Sequence, residues 1–185
     1  DERMQAVHMT QMNDHDMALL RDHKVSLVTC PASNLKLTSG FAPIHDALSF
    51  DVNVAIGTDG AASNNGLDML ADMRMAALLA KGVSRDATAL PAQQALRMAT
   101  LNGARALGIE DETGSLAVGK SADVVAINLE HYALQPVHHP YLSIVYAHAS
   151  EHVSDVWIAG SAKLRQGEWV DIDLKGLYSK CHMWI

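Results

Sequence analysis

In VNVAIGTDGAASNNG, residues 52–66, an apolar run leads directly into a loop of small and polar residues. The same arrangement occurs upstream, where VSLVTC (25–30) leads into the turn-forming segment PASN (31–34). Short runs that are β-branched and apolar throughout are typical of parallel strands covered on both faces. In α/β barrels and open α/β sheets, ligands bind beyond the carboxyl ends of such strands. We therefore expect both loops to lie at one functional edge of a parallel sheet.

Predicted helices alternate with these strands over residues 1–108, and such alternation indicates a parallel sheet with helical crossovers. A third apolar run at 5–9 predicts the first strand, and 30–40 is expected to be a loop. Asn13 or Asp14 is expected to cap the first helix, and Asn64 or Asn65 a later one. The predicted helices span 14–22, 44–50, 67–81 and 91–107, the last two ending at Gly82 and Gly108.

The pattern changes after Gly108, where short strands and glycine turns replace the long helices. Strands are predicted at 122–129, 153–159 and 162–165, with a short helix within 138–148. Closely spaced strands joined by glycine turns are typical of an antiparallel sheet. The chain is therefore expected to combine an α/β part with a small β part.

Composition excludes several classes of function. The chain has 185 residues, 49% hydrophobic and 19% charged, so it can form a packed core. Its net charge of −7 argues against nucleic acid or an anionic membrane as the main partner. Two cysteines cannot form a disulfide framework in a chain of this size, and their scarcity fits a reducing cytoplasm. No run approaches the roughly 20 apolar residues of a membrane helix.

Asp59 and His8 are the candidates for chemistry, since Asp59 follows a predicted strand and His8 lies at the end of one. Asp59 lies between small residues, and a carboxylate there could bind a metal ion or accept a proton. The alternative is an aspartate that closes a turn or caps a helix. His8 could bind metal or hold a nucleophile, or it could be a core histidine bonded to a backbone carbonyl.

Other polar residues fit structural roles at least as well. Ser33 and Asn34 could present a hydroxyl and an amide to a ligand, but plain turn chemistry accounts for them. The segment 63–65 (SNN) has the same two interpretations. His148 and His152 have the spacing of two ligands on one helix face, yet we interpret them as surface residues.

Four segments together resemble the carboxyl-terminal part of the amidohydrolase superfamily: PASNLKLTSGFAPI (31–44), VAIGTDGAASNNGLDML (54–70), LNGARALGI (101–109) and GSLAVGKSADVVAINL (114–129). The resemblance is to its cytosine-deaminase-like and triazine-hydrolase-like branch, nearest to the 5′-methylthioadenosine/S-adenosylhomocysteine deaminases. It implies an α/β fold in which residues 1–110 form about strands 6–8 of a metal-dependent (β/α)8 TIM barrel. Residues 111–174 would form part of a flanking β-sandwich, and 175–185 have no assignment.

The resemblance also implies a site and an activity. Asp59 would be a metal ligand, the proton acceptor and a substrate contact, while His8 would orient the attacking hydroxide. The cofactor would be one divalent metal ion, zinc or iron. The reaction would be hydrolytic deamination of an adenine nucleoside to its inosine analogue and ammonia. The full-length parent would be a cytoplasmic homo-oligomer.

Most of the family's ligand set is not found in this sequence, which has neither its HxH pair nor its strand-5 histidine with the nearby glutamate. One carboxylate cannot hold a catalytic zinc, which needs three protein ligands or more. We therefore expect the chain to be part of a longer protein and inactive alone. A triazine hydrolase, another aminopurine or pyrimidine deaminase, and a non-catalytic partner subunit of a split barrel remain alternatives.

Overall fold

A three-stranded parallel sheet organises the first part of the computed structural model, which describes residues 1–181. Its strands are β1 (Gln5–Val7), β2 (Ser26–Thr29) and β3 (Val54–Ile56), with β2 in the middle. All three predicted strands of the α/β part are confirmed. Leu27 of β2 pairs in register with Ala6 on one side and Val54 on the other, and its side chain is fully buried.

Six helices accompany this sheet, and three of them form its crossovers. α1 connects β1 to β2, and α2 and α3 connect β2 to β3. The bounds are α1 Asp14–Asp22, α2 Pro31–Lys36, α3 Ile44–Ser49, α4 Met69–Ser84, α5 Ala92–Met98 and α6 Leu101–Leu107. Asn13 caps α1 as expected, since its side chain accepts the N–H groups of His15 and Asp16.

The predicted loop at 30–40 was wrong, because α2 occupies its first half. Pro31 lies at the first helical position, where its fixed φ suits a helix and its missing N–H costs nothing. The N–H of Asn34 closes the first turn on the carbonyl of Cys30 at 2.9 Å. A six-residue helix of turn-forming residues is too short to show a helical period in the sequence.

Two predicted helix ends also differ. α4 runs through Gly82 and ends at Ser84, where Arg85 takes the left-handed conformation with φ of 56°. Its cap is Asp68, whose carboxylate accepts the N–H groups of Leu70 and Ala71, and neither Asn64 nor Asn65. The predicted helix 91–107 is two helices, with the break at Thr100.

The main core lies between the parallel sheet and its helices. Its most buried side chains are at most 1% exposed and pack in one cluster with Leu27; they are Val54, Met73, Leu90 and Met98. Apolar burial of this kind is the main favourable contribution to folding.

An antiparallel sheet forms the second part, with strand order β4-β5-β6-β7. Its strands are β4 Val124–Ile127, β5 Val153–Ile158, β6 Ser161–Arg165 and β7 Glu168–Trp169. α7 (Pro140–Tyr146) lies between β4 and β5 in the chain and packs against α4 and α5, with Val145 in the main core. The sheet is thereby attached to the α/β part.

A last helix, α8 (Leu174–Cys181), occupies most of the segment that has no assignment from sequence. Residues 182–185 of that segment lie outside the described residues. Among the helices of the described part, none combines the length and the apolar character needed to cross a membrane.

Candidate active site

The two strand-end residues predicted from the sequence, His8 and Asp59, meet at the carboxyl edge of the parallel sheet. The N–H of His8 donates to the carbonyl of Val28 at 2.9 Å, so the β1–β2 ladder extends to the histidine. The N–H of Gly57 likewise donates to Thr29 at 2.9 Å, just before Asp59. The sheet therefore positions the backbone of His8 and of the segment that leads into Asp59.

α2 supplies the contacts that orient both side chains. The Ser33 hydroxyl donates to Oδ2 of Asp59 at 2.7 Å, and Asn34 Oδ1 lies 2.8 Å from Nδ1 of His8. An amide oxygen can only accept, so Nδ1 carries the proton and Nε2 of the neutral ring has a free lone pair. That Nε2 lies 3.9 Å from Oδ2 of Asp59. Two electron-rich atoms thus face a common space that suits a cation or a proton donor.

Hydrogen bonds hold Asp59 in its ionised form. The Ser33 hydroxyl, followed by the N–H of Gly60, lowers the pKa of Asp59 from 3.8 to about 2, with a smaller contribution from Ser63. The Gly60 N–H donates to Oδ1 at 2.8 Å. Both carboxylate oxygens therefore have a donor, and Asp59 is anionic at neutral pH.

The backbone at both residues is in the left-handed region, which non-glycine residues seldom adopt. φ is 70° at His8 and 60° at Asp59. Such conformations cost on the order of 1–3 kcal/mol each and persist where the surrounding structure over-determines them, often at functional sites. Here the paired strands and α2 provide that restraint.

The pair is accessible and incomplete as a metal site. The His8 and Asp59 side chains are 42% and 33% exposed, so a ligand can reach them. Within residues 1–181 no group of three or more His, Cys, Asp or Glu side chains is arranged to hold a metal ion. A catalytic zinc takes at least three protein ligands, so the described residues fit one side of a metal centre.

Of the other candidate residues, Ser33 and Asn34 contact Asp59 and His8, whereas the two later histidines take part in other contacts. Ser33 and Asn34, for which turn chemistry sufficed, are 1% and 3% exposed and bind the site residues directly. His148 and His152 do not share an α-helix: His148 precedes a 3-10 helix that His152 ends. His152 stacks on His131 with ring centroids 4.3 Å apart.

Comparison with known proteins identifies close relatives. A 5-methylthioadenosine/S-adenosylhomocysteine deaminase of Teredinibacter turnerae is 46% identical over 96% of this chain and 40% of its own length. A 5′-deoxyadenosine deaminase of Methanosphaera stadtmanae is 43% identical over 94% of this chain and 40% of its own. The chain therefore spans about 40% of the length of the relatives it matches.

Solved structures agree. An adenosine deaminase of Xanthomonas campestris, crystallised with bound zinc, superposes with a TM-score of 0.97 at 50% identity, covering 100% of this chain and 42% of that one. An atrazine chlorohydrolase of Arthrobacter aurescens, complexed with zinc, gives 0.93 at 28% identity, covering 99% and 41%. The fold is thus part of a TIM-barrel amidohydrolase. Because the amidohydrolase family model matches residues 1–163, this chain belongs to the amidohydrolase family.

Proposed function

We propose that this chain supplies the last barrel strands and part of the β-sandwich of a metal-dependent deaminase that acts on adenine nucleosides. The names of the relatives support this substrate class. Because the chain spans about 40% of their length, catalysis is assigned to the complete barrel, meaning this chain with the segment that supplies the other strands. That segment can be joined in one polypeptide or provided by a partner.

The observation that carries the proposal is the convergence of Oδ2 of Asp59 and Nε2 of His8, 3.9 Å apart. An ionised carboxylate and an imidazole lone pair at a strand-end edge are what a hydrolytic site needs to handle water and its protons.

Asp59 would hold the metal ion from this chain, since its carboxylate is anionic, accessible and a hard ligand. Zinc fits the bound ion of the solved relatives, and iron is the other candidate. When bound, the divalent ion would lower the pKa of water to about 7.

The residues of this chain then share the proton transfers. Water adds to the ring carbon that bears the amino group, and the carbon–nitrogen bond breaks to release ammonia. Asp59 accepts a proton from the water and returns it to the leaving nitrogen. His8 accepts a hydrogen bond from the water at Nε2, and Asn34, by accepting the hydrogen of Nδ1, selects the tautomer of the neutral ring in which Nε2 has the lone pair.

Two alternatives follow from specific observations. The likeness to an atrazine chlorohydrolase favours a triazine or another aminopurine or pyrimidine as substrate. The absence of a three-ligand cluster in the described residues favours a non-catalytic partner subunit of a split barrel.

A substrate panel on the complete barrel separates these functions. We expect ammonia release from 5′-methylthioadenosine and S-adenosylhomocysteine and no release of chloride or amine from triazines. Turnover of triazines alone would overturn the substrate class. A complete barrel loaded with zinc that turns over none of these compounds would favour the non-catalytic subunit.

A further inference from the structure

Asp72 is a buried carboxylate on α4 that the proposed reaction does not use. Asp72 is only 2% exposed. Oδ1 accepts the N–H of Ala32 at 3.0 Å, and Oδ2 accepts Nδ2 of Asn64 at 2.7 Å. Burying a carboxylate is costly unless its oxygens are hydrogen-bonded, so both bonds are needed to keep it there.

The two partners of Asp72 belong to α2 and to the 57–66 loop, the two segments that carry the site. Ala32 immediately precedes Ser33 and Asn34 in α2, which bind Asp59 and His8. Asn64 closes the loop of Asp59: its N–H donates to the carbonyl of Gly60 at 2.8 Å, and its Oδ1 accepts the N–H of Gly66. One carboxylate therefore connects both sides of the site.

α2 depends on this contact more than a longer helix would. It has six residues, and its N-cap, Cys30, makes no side-chain hydrogen bond to the first turn. The N–H groups of a first turn have no partner within the helix, and isolated helices shorter than about 12 residues are marginal in water. Asp72 satisfies the N–H of Ala32 from outside.

We infer that Asp72 is a positioning residue, which fixes α2 against the 57–66 loop so that Ser33 and Asn34 hold Asp59 and His8 in a reactive arrangement. The inference rests on the proposed function for its catalytic consequence. Burial raises the pKa of Asp72, and the bonds from Ala32 and Asn64 oppose that shift. Such opposition is expected where hydrogen bonds stabilise a buried anion.

The first test is Asp72→Asn in the complete barrel. The substitution preserves the side-chain volume but replaces one acceptor with an NH2 group, so either the Ala32 or the Asn64 bond is lost. We expect kcat to fall by about 100-fold, the scale of a misplaced catalytic group. KM for 5′-methylthioadenosine and bound zinc should stay near wild type, and hydrogen exchange of residues 31–36 should become faster.

The double variant Asp72→Asn/Asn64→Asp provides a rescue. The amide at position 72 can accept from Ala32 and donate to the carboxylate at position 64, whose second oxygen accepts the N–H of Gly66. All three hydrogen bonds return, with only the bond between positions 72 and 64 reversed in direction, so kcat and slow exchange should recover. Asp86→Asn is the matched control, since that carboxylate lies beyond the other end of α4 and binds Thr88.

The outcomes separate the two proposals. Wild-type kcat and exchange in Asp72→Asn would overturn the positioning role. A folded double variant with low kcat and fast exchange of residues 31–36 would also overturn the positioning role. If the single variant does not fold, the double variant alone tests this role by the same two measurements. A zinc-loaded complete barrel without deaminase activity would refute the proposed function, whereas exchange of residues 31–36 would still decide the role of Asp72.

Discussion

Buried polar neighbours set the ionisation of Asp59 and the tautomer of His8. Ser33 keeps the carboxylate ionised, and Asn34 sets which ring nitrogen of His8 has the lone pair. Asp72, which contacts both α2 and the 57–66 loop, accepts the N–H of Ala32. Residues of this chain therefore set the chemical state of the two candidate site residues, although a metal centre needs further ligands.

His8→Ala tests the role of the imidazole in the complete barrel. We expect kcat to fall about 100- to 10,000-fold, the usual contribution of a positioned acid–base group. Zinc content, measured by atomic emission, should be largely retained, because Asp59 is this chain's proposed ligand. His15→Ala, at an exposed position of α1, is the control. Loss of zinc together with activity would make His8 a metal ligand.

The two cysteines should differ sharply in reactivity. Burial, followed by the negative charges of Asp59 and Asp72, raises the pKa of Cys30 from 9.0 to about 11, whereas Cys181 is exposed. Only the thiolate reacts, so a thiol reagent at pH 8 should modify Cys181 quickly and Cys30 slowly, as read peptide by peptide in the complete barrel. Rapid modification of native Cys30 would contradict this burial.

The same shift has a consequence for stability. Because the folded pKa of Cys30 lies above its unfolded value, the unfolded chain loses the thiol proton first. The contribution of Cys30 to stability is fully present below pH 9.0 and decreases as the pH rises toward about 11.

The sequence pointed to Asp59 and His8, offered Ser33 and Asn34 as residues that turn chemistry also explained, and missed the buried Asp72. Asp59 and His8 were recognisable because each follows an apolar strand. Asp72 was not recognised, since a lone carboxylate within a helical pattern is usually on the solvent face. Its partners on α2 and the 57–66 loop are brought to it only by the fold.

At the scale of elements, strands were predicted well and helix ends less well. β2 and β3 are short, apolar and followed by Pro31 and Gly57, which are strong local signals. α2 is too short to show a helical period. The break between α5 and α6 at Thr100 lies where neither glycine nor proline occurs. α4 continues for two residues past Gly82, so one glycine, which costs roughly 1 kcal/mol in a helix, does not end it.

Leu27→Ala tests whether β2 is the centre of the core. Leu27 is fully buried between both neighbouring strands. We expect a loss of about 2–5 kcal/mol in the free energy of unfolding of the complete barrel, from lost burial and the cavity left behind. Leu19→Ala, on the exposed side of α1, should cost far less. Equal losses would place the core elsewhere.

At the scale of the molecule, the described chain leaves apolar surface uncovered. β1 and β3 are the two edges of the parallel sheet, and Val7 on β1 is 45% exposed. Phe41, Leu78 and Val83 line an open apolar groove of about 700 Å³ and are each about half exposed. Unpaired strand edges and contiguous apolar surface are aggregation hazards.

We therefore expect the isolated 185-residue chain to associate or to bind a hydrophobic dye strongly in size-exclusion and fluorescence measurements. The complete barrel should bind the dye only weakly, because its other strands cover the same edges. A monomeric isolated chain with one sharp unfolding transition would show that the uncovered surface is tolerated, contrary to this expectation.

We propose that the carboxylate of Asp59 is this chain's essential contribution to deamination. The most direct measurement is ammonia release from 5′-methylthioadenosine by the complete barrel carrying Asp59→Asn, because the amide keeps the shape but cannot be an anionic ligand or accept a proton. We predict that turnover falls by at least about 1,000-fold. A folded variant that releases ammonia at close to the wild-type rate would show that the reaction does not need the Asp59 carboxylate.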